Sequence, residues 1–449
     1  MKTVLKQITC TVALALGAIA TQASYAEGTT AAAPTVTETR QVGGFSAINL
    51  SGPYKVIITA QGPDGLTLTG EREQLAKIET IVSGGTLTVR PIGERKWGFR
   101  LEINTKNNTP TLRISAATLN SLKMSGSGDV ELGQLAADRF TVALSGPGDL
   151  NATGSVRELV ASNAGSGDLN LRRLKATNVK LDMAGPGEVK MADVSGQLDA
   201  SISGSGDLEA DALKLSRLDL RMRGPGNAKL SGSSAELRLE MSGSGDFEGC
   251  ALAVAAAHAD LRGPGNGCIS GAIKKFSGEV SGSGELDVRG LQAQETRLQM
   301  RGPGNVTLAG STEQLDAQVS GSGDLEAGQL KLRNATLRSR GPGNVELSTV
   351  SDTLDAEMDG SGTLDASMAG KRVLLKLRGP GGANLRGSVD TVDAHVNGAG
   401  GLRARELVAG RADVVVQGPG DAIVSVKGKG GDATQLLKVD SRGMRQTSH

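Results

Sequence analysis

Apolar and polar residues alternate in short runs along most of this chain, and the runs recur at a near-constant spacing. Leu218-Asp-Leu-Arg-Met222 and Leu237-Arg-Leu-Glu-Met241 put an apolar residue at every second position. A second set of runs follows each glycine cluster: Leu208 and Ala210 flank Glu209, Val306 and Leu308 flank Thr307, and Val345 and Leu347 flank Glu346. Period-two alternation predicts strands with one buried face. Between the runs lies one tetrapeptide: Gly, then Ser or Pro (Ala once), then Gly, then usually Asp, Glu or Asn. Its first glycines run from Gly126, Gly146, Gly165 and Gly185 to Gly398 and Gly418, sixteen corners in all. The middle residue alternates as well, from Ser127, Pro147, Ser166 and Pro186 to Ala399 and Pro419.

The unit is therefore a rung of about 19 or 20 residues, and two rungs make a pair of about 39 residues. Glycine is expected to supply positive φ at the corner, and proline to pre-set φ for the turn. A unit this short cannot bury its inner face alone, whereas stacked copies can. Equal rungs without hairpin signals predict an all-β fold, a right-handed parallel β-helix (β-solenoid). At roughly 4.8 Å per rung it makes a rod of about 75 Å.

Composition fits this picture. Of 449 residues 64 are Gly and 13 are Pro, yet only 2% are aromatic. An ordinary globular core of this size buries many rings; a narrow coil lined by Leu, Val, Ala and Met has little room for them. A net charge of +1 with no basic block leaves no footprint for nucleic acid or an anionic membrane.

Lys2 and Lys6 precede an apolar stretch from Ile8 to Ala20, and small residues lead to Ser24-Tyr25-Ala26. Residues 1–26 read as a secretory signal peptide. No later stretch approaches the roughly 18 apolar residues of a membrane span. The mature chain is expected to be exported, to the periplasm or to the outer surface and medium. Residues 27–40 read as a flexible lead-in, 41–124 as irregular rungs and a cap, 125–426 as the regular solenoid, and 427–449 as a C-terminal cap or tail.

Candidate chemistry is sparse. In the middle of the rod the corner charge alternates through Asp207, Arg223, Asp246, Arg262, Glu285, Arg301, Asp324 and Arg340. Like charges stacked on neighbouring strands repel, so the two-rung period reads as electrostatic complementarity along one edge, compatible with duplication of a two-rung unit. Before that region Asp129, Asp149, Asp168, Glu188 and Asp207 form an acidic ladder. It is either a strip for a divalent cation such as Ca²⁺ or a row of carboxylates accepting backbone N–H groups in the turn. Phe45, Tyr54, Trp97 and Phe99 gather in the N-terminal region. They read as a cap over the open end of the stack, with Lys96, Trp97 and Phe99 as the alternative, a binding patch. Cys250 and Cys268 follow their corner glycines, Gly243 and Gly263, at unequal distances. In adjacent strands that is a diagonal offset of roughly 7–8 Å, so a disulfide needs a local shift near Gly249 and Gly267. His258, His395 and His449 are scattered. Neither a nucleophile motif nor a phosphate-cradling loop is visible, and no cofactor is implied.

The run Phe45-Ser-Ala-Ile-Asn-Leu-Ser-Gly-Pro-Tyr-Lys-Val-Ile-Ile58, the strand Gly85-Thr-Leu-Thr-Val89 and the Ser-Gly-Ser-Gly-Asp-Val corner at Ser125 resemble the GIN-domain family of auto-transporter adhesin heads. The resemblance covers residues 41 to about 210, and the later rungs extend it in the same style. It implies a β-helical exported protein, with adhesion as its suggested role. The chain differs in its many more regular rungs and carries no translocator, which argues against self-transport. The function expected is a non-enzymatic exported solenoid that presents an extended surface to a cell-surface or envelope polymer or protein. A polysaccharide-active β-helix enzyme and a structural spacer rod are the alternatives.

Overall fold

The computed structural model describes residues 34–93, 109–427 and 434–447. Residues 1–26, expected as a signal peptide, residues 27–33, and Lys96, Trp97 and Phe99 lie outside the described residues.

From Val130 to Lys427 the chain is a stack of parallel strands, each pairing with its equivalent in the next rung. One inward column shows the register: Leu208 pairs with Ala228, Ala228 with Phe247, Phe247 with Gly267, Gly267 with Leu286 and Leu286 with Val306. The sixteen corners thus delimit a β-solenoid of about 15 turns. Within Leu208–Met222 the inward residues are Leu208 and Ala210, then Leu213 and Leu215, then Leu218, Leu220 and Met222. Two neighbouring outward residues, at Asp211-Ala212 and at Ser216-Arg217, break the alternation. Each break turns the chain, so every rung has three sides. The core is one continuous file of Leu, Val, Ala and Met, in which Phe140 and Phe247 are the fully buried rings of the regular stack.

The glycine-proline corners depart from expectation. Among the sixteen first glycines Gly418 alone has a positive φ. Glycine is required there by close stacking instead: a Cβ on Gly224 would lie 2.1 Å from the Gly204 carbonyl oxygen, and one on Gly226 2.2 Å from that of Gly206. Left-handed backbone sits further along the rung, at its second bend. There the two rung lengths solve the same turn differently. Several shorter rungs use a glycine, Gly154, Gly232 and Gly310 at φ 136, 120 and 127, and another uses Asp193 at φ 56. The longer rungs insert one more residue, a β-bulge, beside Gln134 or Ala212 at φ 59 and 52. The two-rung period is therefore an alternation of bend geometry as well as of charge.

The N-terminal region begins with β1 (Thr35–Arg40), β2 (Ala47–Leu50), β3 (Lys55–Thr59) and β4 (Gly65–Glu71), followed by one helical turn. β5 (Ile78–Ser83), β6 (Thr86–Pro91), β7 (Thr111–Ser115), β8 (Ser121–Met124) and β9 (Val130–Leu144) complete it. β2 and β3 stack in parallel on β8 and β9 as a rung of their own. Gly52-Pro53 is its corner: the Gly128 amide donates to the Gly52 carbonyl at 3.2 Å. On the other edge β6 and β7 continue in parallel, and antiparallel β5, β4 and β1 close the end. Residues 35–40, expected within a flexible lead-in, are thus paired as β1, because β4 offers them an open edge. At the far end Asp421–Lys427 pairs antiparallel with Thr434–Asp440, and that strand with Gly443–Thr447. The polar tail folds back as a hairpin and seats Leu437 and Val439 on the last rung.

Tyr54 occupies the place of the second corner glycine and is buried. Burial pushes its phenol from 10.0 up to about 12, with the Arg40 charge acting weakly the other way. A folded-state pKa above the unfolded one means the folded protein holds its proton longer, so stability is full below pH 10 and falls as pH climbs toward 12. In a chain without residues 1–26, Tyr54 is the sole tyrosine. Its phenolate absorbance is expected to rise near pH 12 in folded protein; a midpoint at 10.0 would contradict this burial.

Candidate binding face

The acidic ladder stands at the glycine-proline edge. Asp149 Oδ1 accepts the Asp168 amide at 2.8 Å, and Asp168 Oδ1 accepts that of Glu188 at 2.9 Å. Asp129 reaches the Asp149 amide at 3.3 Å, and Asp207 that of Asn227 at 2.8 Å. Glu188, one methylene longer, instead pairs with Lys190 at 2.6 Å. The same link runs on through Asn227, Asp246 and Asn266, each Oδ1 accepting the next rung's amide at 2.8–2.9 Å. Asp and Asn interchange here because both offer an Oδ1. Where a corner carries either residue in this run, its side chain satisfies the corner amide of the rung that follows.

The alternating charges do not pair across this edge. None of the ion pairs among the described residues joins Arg223, Arg262, Arg301 or Arg340 to Asp207, Asp246, Glu285 or Asp324. Arg262 pairs with Asp260 and Arg301 with Glu279, on the side of the rod that leads into the corner. Among the described residues stacked corner charges meet only near the C-terminal end, where Asp359 lies between Arg340 at 3.8 Å and Arg378 at 3.2 Å. The short Asp side chain is already committed to backbone, and the long Arg reaches past it.

Cys250 and Cys268 are joined, with Cα atoms 5.3 Å apart. Glu248 faces Cys268 in register, so the cysteines start on a diagonal. The register then jumps after Gly249, so Cys250, Ala251 and Leu252 have no partner in Gly267–Ile273 and Cys250 is carried back toward Cys268.

A broad concavity lies on the third side of the rod, at its middle, a trough of about 630 Å³. Its residues come from equivalent outward positions in successive rungs. Arg217, Glu236, Ala256 and Lys275 form one column, and Arg238, His258, Ser277 and Arg297 the next. Ala256, between Glu236 and Lys275, and Ser277, between His258 and Arg297, are the small residues of these columns and form the floor. The His258 ring lies across it, with Nδ1 2.8 Å from Ser277 Oγ. Five cations line the trough, Arg217, Arg238, Lys274, Lys275 and Arg297, against two carboxylates, Glu236 and Glu295. Arg217 is paired to Asp219 at 2.7 Å, Arg238 to Glu240 at 2.8 Å and Arg297 to Glu295 at 2.6 Å. Lys274 and Lys275, at the break between Gly267–Ile273 and Lys275–Val280, have no ion-pair partner among the described residues. The positive charge that is not ion-paired in the hollow therefore rests on Lys274 and Lys275. The trough was not anticipated from sequence. Its signal was Ala256, a small residue where the adjacent rungs carry Glu236 and Lys275.

Fold and face together define a long parallel β-solenoid with a cationic trough on one side. The family model described as "Putative auto-transporter adhesin, head GIN domain" matches residues 44–212, 195–290, 268–365 and 348–430. The chain belongs to this family. Among solved structures it is similar to a putative lipid binding protein from Parabacteroides distasonis, with 18% identity, a TM-score of 0.33, and coverage of 65% of this chain and 96% of that one. It is also similar to a putative adhesin from Bacteroides fragilis, at 17% identity and TM-score 0.25, covering 68% of this chain and 97% of that one. A putative adhesin from Parabacteroides merdae gives 14% identity and TM-score 0.29, with 65% and 95% covered. No curated protein matches the chain. No helix among the described residues is long and apolar enough to cross a membrane.

Proposed function

We propose that the protein is a non-enzymatic, exported adhesin-type rod whose mid-rod trough holds an extended acidic polymer of a cell surface or envelope. The observation that carries this reading is the trough itself: elongated, open, and lined by five cations, of which Lys274 and Lys275 have no ion-pair partner among the described residues. An open hollow running across rungs suits a chain-like ligand better than a small molecule, which favours an enclosed pocket. Membership of an adhesin-head family agrees with surface binding, and the leader-like residues 1–26 agree with export. Among the described residues, constant rung length from Gly126 to Gly418 leaves no long loops of the kind that usually carry catalytic groups. A lipid ligand is less well supported: Ile81, Ile92 and Val160 are the exposed large apolar side chains among the described residues, and none lines the trough.

The test is binding of leaderless protein to an acidic polyuronate and to a neutral glucan, at low and high salt, with and without Ca²⁺. Selective, salt-weakened binding to the polyuronate is expected. The double variant Lys274→Glu, Lys275→Glu should bind it about tenfold more weakly or worse. Equal affinity of variant and parent would remove the trough from the mechanism. Turnover of either polymer would favour the enzyme reading, and absence of all binding the spacer rod.

A further inference from the structure

We propose that Cys250, Cys268 and Asp287 form a thiol-gated metal site, closed as a disulfide and able to hold a thiophilic divalent ion such as Zn²⁺ once that disulfide is reduced. The three residues come from three successive rungs on the first side of the rod, away from the trough. Cys268 stands in register between Glu248 and Asp287, and the bulge after Gly249 brings Cys250 alongside. The two sulfurs and a carboxylate oxygen of Asp287 all lie within 4.8 Å of one another. Parallel ladders hold the Cys268 and Asp287 backbones, and the Cys250 carbonyl accepts Ser270 Oγ at 2.6 Å, so opening the bridge requires side-chain rotation rather than movement of a rung.

The chemistry of the set is that of a soft site. Two thiolates select zinc-like ions over Ca²⁺ or Mg²⁺, and a carboxylate can complete a third ligand position. Arg289 Nε donates to Asp287 Oδ2 at 2.8 Å and Nη2 to the same oxygen at 2.5 Å. Both bonds fall on Oδ2, which leaves Oδ1 for the metal and fixes the carboxylate plane. Cys250 is exposed, so an ion and a reductant can both reach the site. Reduction by a thiol or phosphine delivers two electrons, breaks the S–S bond and forms two thiols. Binding one divalent ion then displaces their two protons. Loss of two electrons to an oxidant such as a disulfide reforms the bridge and releases the ion.

The experiment uses the leaderless chain, oxidised or reduced with a phosphine under inert gas, titrated with Co²⁺ as a spectroscopic probe and then with Zn²⁺ in competition. The reduced protein is expected to develop thiolate-to-cobalt charge-transfer bands at one ion per chain, bleached by Zn²⁺, while the oxidised protein shows none. Asp287→Asn should keep the disulfide and the circular dichroism spectrum yet weaken Co²⁺ binding roughly 10–100-fold. The proposal is overturned if reduced protein binds no more Co²⁺ than the Cys250→Ser, Cys268→Ser double variant. It is equally overturned if Asp287→Asn binds as tightly as the parent, which would leave a plain covalent staple.

Discussion

Gly224→Ala is expected to destabilise the rod by about 3 kcal/mol, near the upper end of ordinary overpacking penalties. The added methyl would sit 2.1 Å from the Gly204 carbonyl oxygen and 2.5 Å from that of Ser203. Neither atom can give way cheaply. The Gly204 oxygen already accepts the Gly226 amide at 3.3 Å, and the rungs on both sides are locked by long parallel ladders, Leu208–Met222 on Ala228–Met241 and that strand on Phe247–Leu261. In a one-dimensional stack each rung is stabilised by its two neighbours, so pushing one corner outward weakens two interfaces. Gly43→Ala is the control, since a Cβ there meets nothing within 4 Å. Its effect should stay within about 0.5 kcal/mol. Denaturation midpoints of the two variants against the parent decide the matter. Should Gly224→Ala shift the midpoint no more than Gly43→Ala, steric stacking would not be what requires glycine at these corners.

That prediction turns on a point that spacing could reveal only in part. The positions of the corner glycines were legible because they recur once in every rung, and so was the inward face, because Leu218, Leu220 and Met222 alternate with Asp219 and Arg221. The reason for the glycines was not legible. Positive φ and close backbone approach both call for glycine, and only the stacked geometry separates Gly224, which needs the space, from Gly232, which needs the φ. The first rung was hidden for a different reason. Gly52-Pro53 is a corner like the others, but Tyr54 replaces its second glycine, and β4 to β7 intervene before the stack resumes at Ser121, so the period is lost. Spacing alone leaves the acidic ladder a choice between cation and backbone. Its Oδ1 atoms do accept amides, but those of the following rung rather than of their own turn, a contact that exists only once rungs are stacked. The trough lay furthest from view. Arg217, His258 and Arg297 belong to rungs well separated in sequence and become neighbours only through the register.

Ending the chain at Lys427 is expected to convert a discrete rod into end-to-end multimers. The strand Asp421–Lys427 is paired along its whole length to Thr434–Asp440, and its inward Ala422 and Val424 are buried. Removing the hairpin leaves a row of unpaired amides and carbonyls above an uncovered core, the arrangement that recruits another strand. The partner surface need not be a second copy of the same edge. If a truncated end docks on a different end of the next molecule, the contact is head-to-tail and does not close, so the products are filaments of increasing length. Light scattering on truncated and full-length protein should diverge with concentration, the truncated form growing while circular dichroism stays that of a β-solenoid. Adding Val424→Pro to the truncation removes an edge donor and should shorten the multimers. A truncated chain that stays the size of the full-length protein at every concentration, with its strand signal intact, would show that the last rung needs no cover. The hairpin would then be dispensable to the rod, and the antiparallel strands at the opposite end would lose the same rationale.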